Sequence, residues 1–446
     1  MVPGWVWGVG LLWGADSLVL TLPGALERAL ERSAELRATA VEVRLAELER
    51  ERARALRWLP ELSLRGFLTL TPSAQGDYRD PDLSWDWSRP GPFSQWVLEA
   101  LQPIYLWNRT GALYEAAAAA QEAAEQGRAR KADEIAFRVA QLYYTSLYLR
   151  ELEALRQEAE GLLRRALRLL DSLFAQGEEG VRQADLYKAR LLQEQLRLRA
   201  LELERQQRVL QEGWRLQLDL PEGVRVYPAD SALRREPYFL RPLADYVALA
   251  LDQRPELRGL GAALAAAMAT HRATQAERLP QVFFGLRGEW SMAPHVSSFR
   301  NPFVYDPLNA RYVGAGVVIR QNLNFRQSAL ALKRTRARVE QLQAQREALQ
   351  QAIRAEVTQA WAEFAAKDSA CAALERALQV ANEWLRTEEI NFDLALGSAK
   401  DLVEAVQSQF ELRMALYTTL YERQLAWLRL QQVSGRLRAE LLARKE

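Results

Sequence analysis

The 446-residue chain is 49% hydrophobic and 26% charged with a formal net charge of +2, enough apolar material to fill a core of its own. Its charges are interspersed, which argues against a basic field for nucleic acid and against an acidic solvating tail. The single cysteine, Cys371, rules out an intrachain disulfide framework, and no apolar run reaches the roughly 18 to 20 residues of a transmembrane helix, so any passage through a bilayer must be made by strands.

Residues 2–13 form a short apolar run followed by Gly14, Ala15 and Asp16. Residues 1–15 therefore read as a possible signal peptide, although no Lys or Arg precedes the run and Trp13 and Ala15 make a poor cleavage site. A mis-assigned start or a frayed apolar terminus fits the same residues. No cysteine lies nearby, so no lipid anchor is expected there.

From Leu22 the pattern is helical, pausing near Ser33, and a second helix is predicted over about 34–58. It stops at Leu59-Pro60, because proline removes a backbone donor and biases its predecessor away from helix. Period 2 then takes over. Leu62, Leu64, Leu68 and Leu70 alternate with Ser63, Arg65, Phe67 and Thr69 in a strand over about 61–71. Residues 72–94, rich in Pro, Asp, Ser and Trp, read as a long exposed loop. A second strand covers about 95–103, with Trp96 and Leu98 on one face and Val97 and Glu99 on the other.

Residues 109–175 hold no proline and no strong breaker, which predicts one helix of about 65 residues, roughly 100 Å at 1.5 Å per residue. A hinge precedes a further helix over 181–218, and the proline-rich segment 221–242 reads as a linker with little regular structure. The sequence then starts again. Residues 243–258 line up with 22–37, and Leu279-Pro280 repeats Leu59-Pro60. Strands are predicted over about 281–291, with Val282, Phe284, Leu286 and Trp290 on one face, and over about 312–323, with Val313, Val317 and Ile319 on one face. A long helix over 326–396 meets a second hinge, and a last helix covers 399–438. The domain reading is thus a first repeat over 16–220, a linker, and a second repeat over 243–446.

The hinges themselves repeat. Gly397-Ser-Ala-Lys-Asp401-Leu-Val-Glu404-Ala405 has a degraded copy in Gly180-Val-Arg-Gln-Ala-Asp185-Leu-Tyr-Lys-Ala189. Leu186, Ala189, Gln193 and Leu196 after one hinge match Leu402, Ala405, Gln409 and Leu412 after the other, one heptad seam written twice. The last helix carries a second stripe, Val403, Val406, Phe410, Tyr417 and Leu420, beside the first. A helix with neighbours on both sides needs two stripes, which favours a cylinder of helices over a two-stranded rod.

In the four strands every charged residue that can be placed, namely Arg65, Glu99, Arg287, Glu289 and Arg320, falls opposite the cleaner apolar set. A bare apolar face about ten residues long suits a transmembrane barrel with lipid outside and water inside. A half-buried antiparallel sheet in a soluble domain shows the same period. Four strands cannot enclose a water-filled lumen, so on the membrane reading several chains share one barrel.

The duplicated order of helix, Leu-Pro, strand, loop, strand, long helix, hinge and helix resembles that of the TolC-type outer membrane efflux proteins across essentially the whole chain. The paired openings at 25–37 and 247–258, the two Leu-Pro strand starts, Gln102 and Gln321 at strand ends and the Gly397 hinge carry the resemblance. It implies a mainly α fold with a small transmembrane β part, internally duplicated: a homotrimer in which four strands per chain make a 12-stranded β-barrel in outer membrane lipid of a diderm bacterium, continued by a long α-helical barrel across the periplasm. It also implies a passive exit duct for efflux or type I secretion, opened at its periplasmic tip by an adaptor protein and served by an inner membrane transporter.

By the same resemblance Asp401 and Glu404 match the acidic positions around the narrowest part of the tunnel, and Asp185 the corresponding position of the first hinge. Residues three apart share a helix face, so threefold repetition would gather two carboxylates per chain around one axis, a ring that favours cations. An ordinary Asp and Glu at a helix start, held by its dipole, is the plainer account. Gly180, Val181, Arg182, Gln183, Gly397, Ser398, Ala399 and Lys400 are candidate adaptor contacts. The family commonly has an arginine where this chain has Ala399, and Arg182 holds the matching offset from Gly180, so any latch would be wired differently.

His271, His295 and one cysteine give no recognisable metal cluster, and no phosphate loop or nucleophile elbow is present. No enzyme activity and no cofactor are expected, and transport energy must come from partners. A coiled-coil scaffold with a small capping sheet, or an adaptor-like periplasmic protein, is the competing reading.

Overall fold

A computed structural model of the chain describes residues 17–75, 84–176, 183–298, 303, 305–393 and 399–443. The elements run β1 (Ser17–Leu20), α1 (Leu22–Arg32), α2 (Ala34–Trp58), β2 (Glu61–Gln75), β3 (Ser84–Tyr105), α3 (Arg109–Gln176), α4 (Gln183–Leu218) and β4 (Arg225–Pro228). The second half follows with α5 (Leu243–Gln253), α6 (Pro255–Ala276), β5 (Gln281–Met292), β6 (Arg311–Arg320), α7 (Phe325–Asp393), α8 (Ala399–Val433) and α9 (Leu437–Ala443).

Helix boundaries follow local chemistry. The Thr21 hydroxyl accepts from the Gly24 amide at 3.3 Å to open α1, and the Ser33 hydroxyl accepts from the Leu36 amide at 3.2 Å to open α2, each satisfying an orphan donor of the first turn. Pro255 starts α6, where its missing donor costs nothing. The C-terminal helix predicted over 399–438 is two helices. Gly435 adopts φ of 78°, and the Arg436 amide donates to the Gln431 carbonyl at 2.9 Å, a left-handed cap that stops α8 at Val433 before α9 begins.

Three further expectations are corrected. The loop predicted over 72–94 is largely strand, because the β2–β3 hairpin continues past a register shift between Thr71 and Ser73 into the pairs Ser73–Asp86, Ala74–Trp85 and Gln75–Ser84. The linker contains β4, which pairs in parallel with β1 from Ser17–Arg225 to Leu20–Pro228. Residues 321–324 lie beyond β6, which ends at Arg320.

The chain divides into two compact units that do not coincide with the sequence repeats. One comprises Met1–Ala40, Gln126–Arg258 and Glu347–Glu446; the other comprises Val41–Glu125 and Gly259–Arg346. Each therefore draws on both repeats. In the first unit, Leu22, Leu26 and Ala29 of α1 bury against Ile135, Val139 and Tyr143 of α3, with Trp214 and Leu218 of α4 in the same cluster. The Trp214 indole nitrogen donates to the buried Ser146 hydroxyl at 3.0 Å, which leaves no orphan polar atom in that contact. A second cluster joins Tyr246 and Ala250 of α5 to Ile353, Val357 and Phe364 of α7 and Trp427 and Leu430 of α8.

The other unit holds a four-stranded sheet in the order β2-β3-β5-β6. All three pairings are antiparallel. Beside it, Arg50 of α2 donates to the Tyr114 hydroxyl of α3 at 2.9 Å.

Candidate functional site

Two features could carry function: the faces of the sheet, and the start of α8. The register decides which side chains of the sheet share a face, because directly paired residues project to the same side. The rows Leu64–Leu98–Gly288–Val313, Ala100–Leu286–Ala315 and Phe284–Val317 lie on one face. Leu62, Leu68, Leu70, Trp96, Val282, Trp290 and Ile319 have the same parity, so all thirteen apolar residues singled out in the sequence fall together. That face is bare: Leu64 is 64% exposed, Phe284 42% and Val317 64%. Gly66 fits its place there, because a Cβ would come within 2.7 Å of the Trp96 ring that lies across it. Arg311, at the rim, is the charge on this side.

The opposite face carries the ions. Arg65 of β2 pairs with Glu99 of β3 at 2.7 Å, Arg287 of β5 lies 3.8 Å from Glu99, and Arg287 reaches Glu289 at 3.0 Å. Gln95 of β3 donates to Glu289 at 2.8 Å. The sequence places these charges on the correct face but gives no sign of the continuous ladder, since Arg65 and Glu99 meet diagonally and not as direct partners. Hydrogen-bonded charges on one side and a mainly apolar surface, with Arg311 at its rim, on the other suit a sheet with water on one face and hydrocarbon on the other. Among the described strands β2 and β6 each have one unpaired edge, a row of backbone donors and acceptors that hydrocarbon cannot satisfy.

At the other feature, α8 opens with Asp401 in its first turn. Asp401 and Glu404 are both exposed while Ala405 is fully buried, so the helix packs with the alanine inward and sends both carboxylates outward. Asp185 is the third residue of α4 as Asp401 is the third of α8, the same place in the repeat. Lys188 stands where α8 has Glu404, so one copy alone carries the acidic pair. Gly180, Val181, Arg182, Gly397 and Ser398 lie outside the described residues. Gln183 begins α4 and donates to the Tyr187 hydroxyl at 3.0 Å, and Ala399 and Lys400 form the first turn of α8.

α8 has neighbours on two sides. Gln409 donates to Asn382 of α7 at 3.0 Å, while Tyr421 stacks on Tyr148 of α3 with ring centroids 4.7 Å apart. Arg413 reaches Glu158 of α3 at 2.8 Å. The sequence does not single out Arg423, which is 2% exposed. It donates to Asp368 at 2.6 Å and to the Glu236 carbonyl at 2.9 Å, and lies over the rings of Tyr238 and Phe364. It thereby straps the 234–240 segment to α7 and α8. An arginine among leucines in a helical repeat gives no periodic signal that it is buried.

Among the described residues no helix is long and apolar enough to cross a membrane, and no group of His, Cys, Asp and Glu is placed to hold a metal ion.

A family model described as outer membrane efflux protein matches residues 25–211 and 246–436. Similar solved structures include the CmeC outer membrane channel of Campylobacter jejuni, at 14% identity and a TM-score of 0.75 over 98% of this chain and 94% of that one. The outer membrane protein VceC of Vibrio cholerae is 18% identical with a TM-score of 0.73, over 93% of this chain and 96% of that one. The MtrE outer membrane channel of Neisseria gonorrhoeae, in its open state, is 17% identical with a TM-score of 0.69, over 98% of each. No curated protein sequence matches the chain.

Proposed function

The chain belongs to the outer membrane efflux protein family, and from that premise we propose that three copies form one passive exit duct with a long periplasmic extension. The observation that carries this reading is the two-faced sheet with two unpaired edges. Pairing β6 of one copy with β2 of the next satisfies those edges, and four strands from each of three copies close a barrel of twelve. Leu62, Leu64, Leu68, Leu70, Trp96, Leu98, Val282, Phe284, Leu286, Trp290, Val313, Val317 and Ile319 then face lipid, and the Arg65–Glu99–Arg287 part of the ladder lines water.

The two repeats, 16–220 and 243–446, supply the helices of the tunnel, and the hinges before α4 and α8 form its periplasmic tip. There Asp401 and Glu404, with Asp185, ring the constriction and hold cations that allow like charges to sit close. An adaptor protein docks on the tip residues Gly180 to Gln183 and Gly397 to Lys400, and an inner membrane transporter supplies the energy. The duct has no catalytic step and needs no cofactor.

The test is fractionation of the full chain. An outer membrane trimer stays with the membrane through carbonate and urea extraction and runs as an SDS-resistant oligomer. A chain extracted as a soluble monomer or rod would remove the duct and favour a helical scaffold.

A further inference from the structure

On the ionic face of the sheet Arg65 and Arg287 are exposed, but the loop end is covered by the chain's own β5–β6 connection. The Glu289 side chain is 7% exposed and accepts from the Tyr305 hydroxyl at 3.0 Å as well as from Gln95. The Ser291 hydroxyl, on the same face, donates to the Pro307 carbonyl at 2.9 Å and accepts from the Ala310 amide at 2.8 Å. Asn309 ties the two ends of the connection together, accepting from the Ala293 amide at 2.9 Å and donating to the Val296 carbonyl at 3.4 Å.

His295 completes the cover. Its Nε2 lies 3.0 Å from the Thr71 carbonyl and 3.0 Å from the Thr71 hydroxyl. Its ring occupies the space over Gly91, where a Cβ would meet Nδ1 at 2.3 Å. Phe93, Ser291, Ala293 and Ala310 are buried as a result, while Leu64, Phe284 and Val317 across the sheet stay exposed. The connection thus lies over the charged side, held there by side chains of two strands, Thr71 of β2 and Glu289 and Ser291 of β5.

We propose that residues 293–298 and 305–310 form a size-selecting collar inside the outer mouth of the duct, with Tyr305 the residue that holds 305–310 inward through Glu289. The collar rests on the duct reading, since it requires the ionic face to line water. Three copies around one axis then narrow the outer exit independently of the periplasmic constriction. Solutes small enough to pass three inward loops cross freely, and bulky ones entering from outside are held back.

Gly316 provides a probe below the collar. It lies on the ionic face, opposite Gly285, and a Cβ added there meets nothing within 4 Å. In a Cys371→Ser background, Gly316→Cys is treated from outside intact cells with a small charged maleimide and with a bulky polyethylene-glycol maleimide. The small reagent labels at equal rates whether or not Tyr305→Phe is present. The bulky reagent labels about tenfold faster when Tyr305→Phe, or separately Asn309→Ala, releases the connection. Equal bulky-reagent rates in all three proteins, with small-reagent labelling intact, would overturn the collar and leave the duct standing. Absence of labelling by the small reagent in all three would sink the duct reading itself, and the collar with it.

Discussion

In the proposed duct, Asp401 and Glu404 act through their repetition around the axis. On one helix both are exposed, and Asp401 lies in the first turn, favoured by its dipole; on the proposed threefold duct they make a cation-binding ring. Replacing both by alanine is predicted to raise single-channel conductance about twofold and to weaken block by divalent cations; unchanged conductance and block would remove them from the gate. Asp368 is a different kind of carboxylate. Burial pushes its pKa up, but hydrogen bonds from Arg423 and Arg235 more than offset this and hold it below the ordinary aspartate value of 3.8. Its stabilising effect is therefore complete above pH 3.8 and lost as pH falls through the lower folded value. Asp133 has the opposite sign: burial outweighs Arg438 and raises it, so its ionisation costs stability as pH climbs from 3.8 through the folded value. Asp368→Ala strands the buried Arg423 guanidinium. Because Asp368 is itself partly exposed, the loss in denaturant midpoint should correspond to about 2 kcal/mol, below the range for fully buried pairs. The Asp-Leu start shared by α4 and α8 was legible in the sequence because it is written twice; Arg423 and Tyr305 were not, since their partners lie 55 and 16 residues away with no local pattern.

At the scale of elements, period 2 identified four strands and assigned each apolar side chain to one face, because a strand has two faces and one shuns charge. It failed where composition misled. Residues 84–94 carry prolines, serines and aspartate yet continue β3, since a hairpin already in register extends its ladder cheaply once the bulge near Pro72 re-aims it. β4 escaped notice for another reason. Four residues are too short for a periodic signal, and the strand exists because β1 and the Gln211 side chain satisfy its backbone, Gln211 both donating to and accepting from Val226. The faces of the sheet make a sharp prediction. Val317→Arg places a charge on the apolar side and should cost about 2–4 kcal/mol of insertion near the bilayer midplane, read as loss of membrane-inserted trimer in a urea titration. Ser63→Arg, opposite Glu99 on the ionic side, should leave the midpoint nearly unchanged. Equal losses for both would mean that the faces do not meet different solvents.

For the whole molecule, duplication is the organising fact. Two copies of one pattern match the family model separately, yet the compact units each mix both copies, so neither repeat stands as a body of its own. Length, charge and the hinge repeat brought this order to the surface of the sequence, while the assignment of residues to units depends on packing between segments far apart in the chain. Everything functional rests on lipid meeting one side of the sheet and water the other. The most direct test is collision accessibility of nitroxide labels at Leu64, Phe284 and Val317 against labels at Arg65 and Gly314 in reconstituted membranes. The first three should be relaxed by oxygen and shielded from a water-soluble nickel complex, and the last two the reverse. Shielding of Leu64, Phe284 and Val317 from both reagents would place them in a packed protein core and contradict the duct.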